Sequence, residues 1–304
     1  MKYSPTLMPS LAIAGCGAIW GLYWIPIRQL DASGIPPSWT SLITFCLVGL
    51  LSLAALVFQK IRTGRLHWSI VLTGLITGTC FVFYAVALIM TEVVKVVLLF
   101  YLTPVWSTIL GKFLLNERIT KFRVTAVGMG LAGLAVILGI ESGLPKISNL
   151  GDLFALLSGV LWSYASVRVR DDPQAKVWEQ VAAFYVGGAV VSGIFVLLPI
   201  YGLNKPPSIN AVQDSLFWLT IFILAYLPSI FLMFWGAQLL SPARVGILLM
   251  TEIVFGVASA SLLSGEPFGW PEAVGVTLIV GAAVVDVSDR LAASTPANGA
   301  IKRG

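Results

Sequence analysis

Glu252 is a lone carboxylate about nine residues into an apolar run that extends from Arg244 to Leu263. At a rise of about 1.5 Å per helical residue it falls near the middle of a helix long enough to cross ~30 Å of hydrocarbon, where a bare carboxylate costs a few kcal/mol. Such a group must be protonated, paired or bound to a cation. The chemistry it offers is reversible capture of a proton or of an ammonium-bearing ligand; the competing reading is a structural glutamate held neutral or hydrogen-bonded. Trp20 and Trp162 lie deep in two other apolar runs, and Tyr23, Tyr84, Tyr101 and Trp235 add further rings. Aromatic faces over a carboxylate suit an ammonium or aromatic ligand through cation–π and stacking contacts. Rings of this kind also fill packing positions, and that competing reading covers most of the aromatic residues.

Other residue types supply hinges rather than ligands. Pro104 and Pro228 fall mid-run and Pro26 and Pro199 nearer run ends, each interrupting the ladder of helix hydrogen bonds. Gly17 belongs to a small-residue spacing, Gly17-x-x-x-Gly21, that brings helix backbones close, and Gly17 and Gly159, at corresponding places in two apolar runs, are candidates for the moving core. Several familiar chemistries find no support. The single histidine, His67, lies in a basic loop without an acidic neighbour. Cys16, Cys46 and Cys80 all fall inside apolar runs, so neither a disulfide framework nor a metal site is expected. The one adjacent acid pair, Asp171-Asp172, sits in a loop beside Arg168 and Arg170, where turn formation and charge pairing explain it. No phosphate-cradling Gly-x-x-x-x-Gly-Lys-Ser/Thr run and no filter-like motif occurs, so direct ATP drive and a channel are both disfavoured. Lys95, Glu179 and Gln180 open helices and read as interfacial, Lys95 pairing with Glu92 or snorkelling. Glu117, Arg118 and Glu266 end helices and read as caps and gate contacts.

The elements that must position these residues follow from composition. Of 304 residues 58% are hydrophobic and 11% charged, against roughly 25% charged in a soluble domain, so lipid is the surrounding solvent. Ten apolar runs are long enough to span: Leu7 to Ile27, Pro37 to Gln59, Ser69 to Met90, Val93 to Leu115, Val124 to Ile140, Gly151 to Val169, Val177 to Tyr201, Leu216 to Leu240, Arg244 to Leu263, and Pro271 to Val287. Ile13-Ala14-Gly15-Cys16 resembles a lipoprotein cleavage box, but the apolar run continues through Ile27, as a retained helix does. The fold class expected is an all-α integral membrane protein.

Basic residues set the orientation, because cytoplasmic loops are enriched in lysine and arginine. With both termini inside, Arg28, Lys95, Lys146 and Lys205 are the only members of the 19 basic residues that fall outside. The net charge of +5 is therefore a topology signal, and no basic face suited to nucleic acid is present. Internal repetition is also visible. A shift of 142 residues lays Gly17 on Gly159, Trp20 on Trp162 and Arg28 on Arg170, and a shift of 149 lays Lys95 on Arg244 and Glu117 on Glu266. Two five-helix halves follow, residues 1–141 and 142–290, with residues 291–304 as a disordered cytoplasmic tail. Five is odd, so the second half enters the membrane from the opposite side, an inverted repeat of the kind that secondary transporters use for alternating access.

Three stretches carry a resemblance: Gly17-Ala18-Ile19-Trp20-Gly21; Tyr101-Leu102-Thr103-Pro104-Val105 with Leu114-Leu115-Asn116-Glu117-Arg118; and Thr251-Glu252-Ile253-Val254 with Leu262-Leu263-Ser264-Gly265-Glu266-Pro267. Over nearly its whole length the chain resembles the drug/metabolite transporter superfamily in its EamA-type branch. The resemblance implies ten helices in a 5+5 inverted fold with cytoplasmic termini, and a central cavity lined mainly by the first four helices of each half. It implies a carrier in a bacterial inner membrane but hardly a substrate, since the superfamily handles amino acids, amines, nucleotide precursors and drugs; together with Glu252 and the aromatic residues the expectation is a non-ATP exporter of amino acids or related amines, with a multidrug or organic-cation efflux carrier as the alternative and an intramembrane enzyme or a channel as the other classes. The partners are a small-molecule solute, the lipid bilayer and protons; a homodimer stays open, and no cofactor, metal or nucleic acid is called for. Relatives read Glu-Pro-Val where this chain has Glu252-Ile253-Val254, so no proline kink carries over to the ninth helix.

Overall fold

A computed structural model of the chain describes residues 6–35, 37–64, 68–91, 93–139, 147–172, 174–196, 198, 206–264 and 268–293. His67, Glu92, Lys146, Pro199, Lys205, Glu266 and the tail beyond Ala293 lie outside them. All regular structure among the described residues is helical. The helices are α1 (Leu7–Gly21), α2 (Trp24–Ala32), α3 (Pro37–Thr63), α4 (Trp68–Met90), α5 (Val93–Phe100), α6 (Thr103–Leu115) and α7 (Lys121–Ile137). They continue as α8 (Leu150–Asp171), α9 (Val177–Val196), α10 (Ile209–Asp214), α11 (Leu216–Leu239), α12 (Pro242–Leu249), α13 (Thr251–Ser264) and α14 (Trp270–Ala293).

Eight segments among the described residues are long and apolar enough to cross a membrane, three of them each joining two consecutive helices across a short break. α7 and α14, the expected fifth and tenth runs, are not among the eight; α7 is 17 residues long. These two pack along each other so closely that a Cβ on Gly133 would lie 2.6 Å from the Gly275 carbonyl. α4 and α9 cross in the same way, with Gly74 and Gly78 set against Ala183, Gly187 and Gly188. Small residues let backbones approach where lipid supplies no hydrophobic drive between helices.

The breaks have identifiable causes. α5 ends at Phe100, and Pro104, which cannot donate a backbone hydrogen bond, falls in the first turn of α6. Thr103 Oγ1 donates to the Phe100 carbonyl at 2.5 Å, satisfying a group the break would orphan. The ninth apolar run breaks at Met250 with no proline nearby. Its backbone tightens to i→i+3 bonds, Met250 N to Ile247 O and Ile253 N to Met250 O, and Thr251 Oγ1 donates to Leu248 O at 2.9 Å. Pro228, by contrast, lies inside a continuous α11.

Several charged groups stand elsewhere than the sequence suggests. Glu179 and Gln180, near the start of α9, are buried against neighbouring helices, where Glu179 accepts from Gln59 Nε2 and the Lys176 amide and Gln180 accepts from Gln238. Lys95 bonds Asp152 at 2.6 Å, and Asp152 also caps the start of α8. Arg123 and Arg244 both meet Asp286 at 2.8 Å, a buried cluster joining α7, α12 and α14.

Candidate functional site

α1, whose expected run Leu7 to Ile27 breaks at Leu22-Tyr23 before α2, carries Trp20 and is followed by Tyr23; both line a cavity of about 170 Å³. Its other walls come from α3 (Ser41, Thr44, Phe45), α4 (Cys80, Phe81, Tyr84), α5 (Phe100), α11 (Phe222, Tyr226) and α13 (Glu252). Of the six sequence-predicted rings flanking Glu252, the structure brings Trp20, Tyr23 and Tyr84 to the wall and Tyr101 against the carboxylate from behind. Trp162 is 2% exposed and stands behind Phe81, which meets it edge-on at 6.1 Å, so Trp20 and Trp162 hold unlike places. Trp235 is half-buried and off the wall. Ile27, Ala85 and Leu88 complete the lining.

Glu252 is the second residue of α13, where the N-terminal end of a helix favours negative charge. The Tyr101 hydroxyl donates to its Oε2 at 2.5 Å. Among the described residues no lysine or arginine pairs with it. The site is thus a ring of aromatic faces around one carboxylate that has a single neutral donor.

Gly17 and Gly159 seat the broken helices. A Cβ on Gly17 would lie 2.2 Å from Thr251 Oγ1 and 3.0 Å from the Glu252 amide; one on Gly159 would lie 2.8 Å from Phe100 O and 3.2 Å from Thr103 Oγ1. α1 therefore covers the break beside α13, and α8 covers the break that precedes Pro104. Each glycine meets the broken helix of the other half of the sequence.

Ser229, directly after Pro228, is a functional residue that sequence reasoning missed. Its Oγ donates to the Tyr226 carbonyl at 2.8 Å, accepts from Trp20 Nε1 at 2.9 Å and is 3.0 Å from the Tyr23 hydroxyl. With the serine proton on Tyr226, the Tyr23 hydroxyl is the donor in that pair. Cys16 Sγ donates to the Ser229 carbonyl at 3.1 Å. One serine of α11 thus holds two wall rings in place. Nothing but its closeness to Pro228 could have singled it out.

The EamA-like transporter family model matches the chain twice, over residues 7–139 and 149–287. The chain is 28% identical over 290 residues to the aromatic amino acid exporter YddG of Ancylobacter novellus, covering 91% of this chain and 96% of that one. It is 24% identical over 163 residues to the uncharacterized transporter YoaV of Bacillus subtilis, covering 52% of this chain and 55% of that one. A protein of known crystal structure shares its fold with a TM-score of 0.72 at 24% identity, covering 93% of this chain and 98% of that one. With most of its length matched by that family model and eight membrane-crossing segments, the chain belongs to the EamA-like transporter family and is a multi-pass membrane protein.

Proposed function

We propose that the chain is a secondary transporter that exports an amino-bearing metabolite, an amino acid or a related amine, across a bacterial inner membrane by alternating access. The observation that carries this reading is Glu252, an unpaired carboxylate in the wall of an aromatic cavity between the two halves of the sequence. The name of the Ancylobacter relative, an aromatic amino acid exporter, supports a solute of that kind.

The ten runs are read as ten spans in two inverted five-helix halves, with α7 and α14 as the fifth and tenth and both termini in the cytoplasm. Two matches of one family model, one in each half, support the repeat. α4 lies along α9, whereas α11, its counterpart in order, makes no comparable contact with α3, and the cavity fills that interval. In an inverted pair, exchanging the two arrangements moves the opening to the opposite face. Protons bound at Glu252 are the coupling ion in this reading, and the solute and proton share one carboxylate.

A multidrug or organic-cation carrier is the second reading, favoured by the largely apolar wall of Phe81, Phe100 and Phe222. Flux of labelled amino acids, simple amines and a bulky organic cation into proteoliposomes, with and without a pH gradient, tests both. Uptake of amino-bearing solutes that responds to the gradient is expected; uptake of the bulky cation alone selects the second reading, and no flux of any of them overturns both.

A further inference from the structure

The cavity is equipped for an ammonium and poorly equipped for a carboxylate. Among its described lining residues Glu252 is the one that carries a formal charge. Of the neutral donors in the wall, the Tyr84 and Tyr226 hydroxyls are single uncharged groups, and four others are directed away from the cavity. Trp20 Nε1 and the Tyr23 hydroxyl both point at Ser229, Thr44 Oγ1 at the Thr40 carbonyl, and Cys80 Sγ at the Ser158 carbonyl. The Tyr101 hydroxyl is taken by Glu252 itself.

Helix N-termini are the other usual seat for a solute carboxylate in carriers with broken helices. Of the three broken spans, the first has its α2 amides at Ile25 and Ile27 taken by the Leu22 and Tyr23 carbonyls, and the helix starts in the other two are covered. α1 lies on the start of α13, with Gly17 against the Glu252 amide, and α8 lies on the start of α6, where Ser163 Oγ donates to the Thr103 carbonyl. The start of α13 also already holds the acid Glu252.

Geometry sharpens the consequence. In an α-amino acid the carboxylate and the ammonium share one carbon, so an ammonium bound at Glu252 brings the solute carboxylate within a few ångströms of the protein carboxylate. Like charges at that distance repel strongly where the surroundings are apolar. The volume of about 170 Å³ is close to the ~150 Å³ of an apolar cavity that takes up one benzene ring.

We infer that the preferred solute is a single-ring arylalkylamine carried as a monocation, with no carboxylate beside its ammonium. This rests on the reading of the Glu252 cavity as the solute site. It separates the chain from a carrier built for the zwitterion, since that zwitterion needs a cationic partner for its carboxylate and the lining residues include no lysine, arginine or histidine.

Three probes isolate the two charges: phenethylamine has the ammonium alone, phenylalanine has both groups, and hydrocinnamate has the carboxylate alone. Affinities are measured by calorimetric titration of the purified full chain at neutral pH, and transport by counterflow in proteoliposomes. Phenethylamine is expected to bind at least tenfold more tightly than phenylalanine, hydrocinnamate is expected not to bind, and Glu252→Gln is expected to erase the preference for the amine. Phenylalanine binding as tightly as phenethylamine or more so, with counterflow of either, overturns the inference and leaves the carrier reading intact. Absence of binding and counterflow for all three overturns both.

Discussion

The Tyr101 hydroxyl meets Glu252 Oε2 at 2.5 Å, and this one bond joins the break between α5 and α6 to the break between α12 and α13. Breaks are where a spanning helix changes direction at low cost, because one or two residues absorb the rotation. A bond to a charged acceptor contributes roughly 1.5–3 kcal/mol when formed. In the alternating-access reading proposed above, whatever occupies Glu252 acts on the link between the two breaks, which would connect binding to the exchange of the halves at a single side chain.

The orientation is tested by accessibility. Cysteines introduced beside Arg62 and Arg118 are expected to stay unlabelled by an impermeant thiol reagent added to intact cells, whereas those beside Lys146 and Lys205 are expected to label. The parent supplies the background to subtract: Cys16 and Cys80 are buried and Cys46 is partly buried. Efficient outside labelling of the first pair reverses the topology drawn from the lysine and arginine distribution.

Gly17 and Gly159 are expected to differ in tolerance. A methyl on Gly17 meets Thr251 Oγ1 at 2.2 Å and the Leu249 carbonyl at 2.9 Å, while the nearest atom for Gly159 is the Phe100 carbonyl at 2.8 Å. Backbone atoms on both sides cannot swing aside. Gly17→Ala should lower the yield of monodisperse protein more than Gly159→Ala, and the folded fraction of each should transport more slowly. Sequence spacing alone points to folded but inactive variants; the contact distances place part of the damage in folding itself. Equal yields and parent-like flux from both would remove these glycines from the moving core.

Ser229→Ala removes the acceptor for Trp20 and Tyr23 together. Each buried donor left without a partner costs about 1–3 kcal/mol. The variant should unfold at a lower temperature in detergent and bind its solute more weakly, through two loosened wall rings. Tyr23→Phe, which removes one of the two donors, should have roughly half the thermal effect. An unshifted melt in Ser229→Ala would mean that solvent in the cavity replaces the serine.

The buried cluster at Asp286 calls for the largest loss of stability. Arg244 is 1% exposed and gives Asp286 two bonds, from Nε to Oδ2 at 2.8 Å and from its terminal amine to the backbone carbonyl at 2.6 Å. Asp286→Asn leaves two guanidinium groups facing each other without a counter-charge, and removing one partner of a buried pair typically costs about 3–5 kcal/mol. A severe fall in expression or thermal stability is expected, partly restored when Arg123→Met is added. No loss in the single variant would show that water reaches the cluster.

Legibility in the sequence followed the strength of local contrast. Glu252 stood out because a carboxylate inside an apolar run has no bland context, and the Pro104 break was readable because proline lacks a donor. The break at Met250 was not readable, since it relies on the packing of α1 and on a threonine hydroxyl rather than on a helix-breaking residue. Ser229 looked like any small residue in an apolar helix; its role arises from rings more than 200 positions away. Arg123, Arg244 and Asp286 read as separate end-of-helix charges because the helices that bring them together are far apart in the chain. The match of Trp20 to Trp162 in the sequence does not give equivalent environments: Trp20 lines the cavity between α3 and α11, and Trp162 packs behind Phe81.

Glu252→Gln keeps the shape of the side chain and an acceptor for Tyr101 while removing the charge. If the carboxylate binds the ammonium of the solute, equilibrium affinity at neutral pH should fall at least tenfold, which corresponds to about 1.4 kcal/mol. If it carries only the coupling proton, affinity should stay near that of the parent while the response of flux to a pH gradient disappears. A shared role, in which solute and proton compete for one carboxylate, predicts both losses together and, in the parent, an affinity for the amine that weakens as the pH is lowered toward protonation of the glutamate. The sign of that last effect is what separates competition from a structural role, because a glutamate that serves only to hold Tyr101 has no reason to link amine affinity to pH. Titrating the parent and the variant with phenethylamine across a range of pH decides the matter: parallel, pH-independent curves of equal affinity would leave Glu252 as a strut between the two breaks.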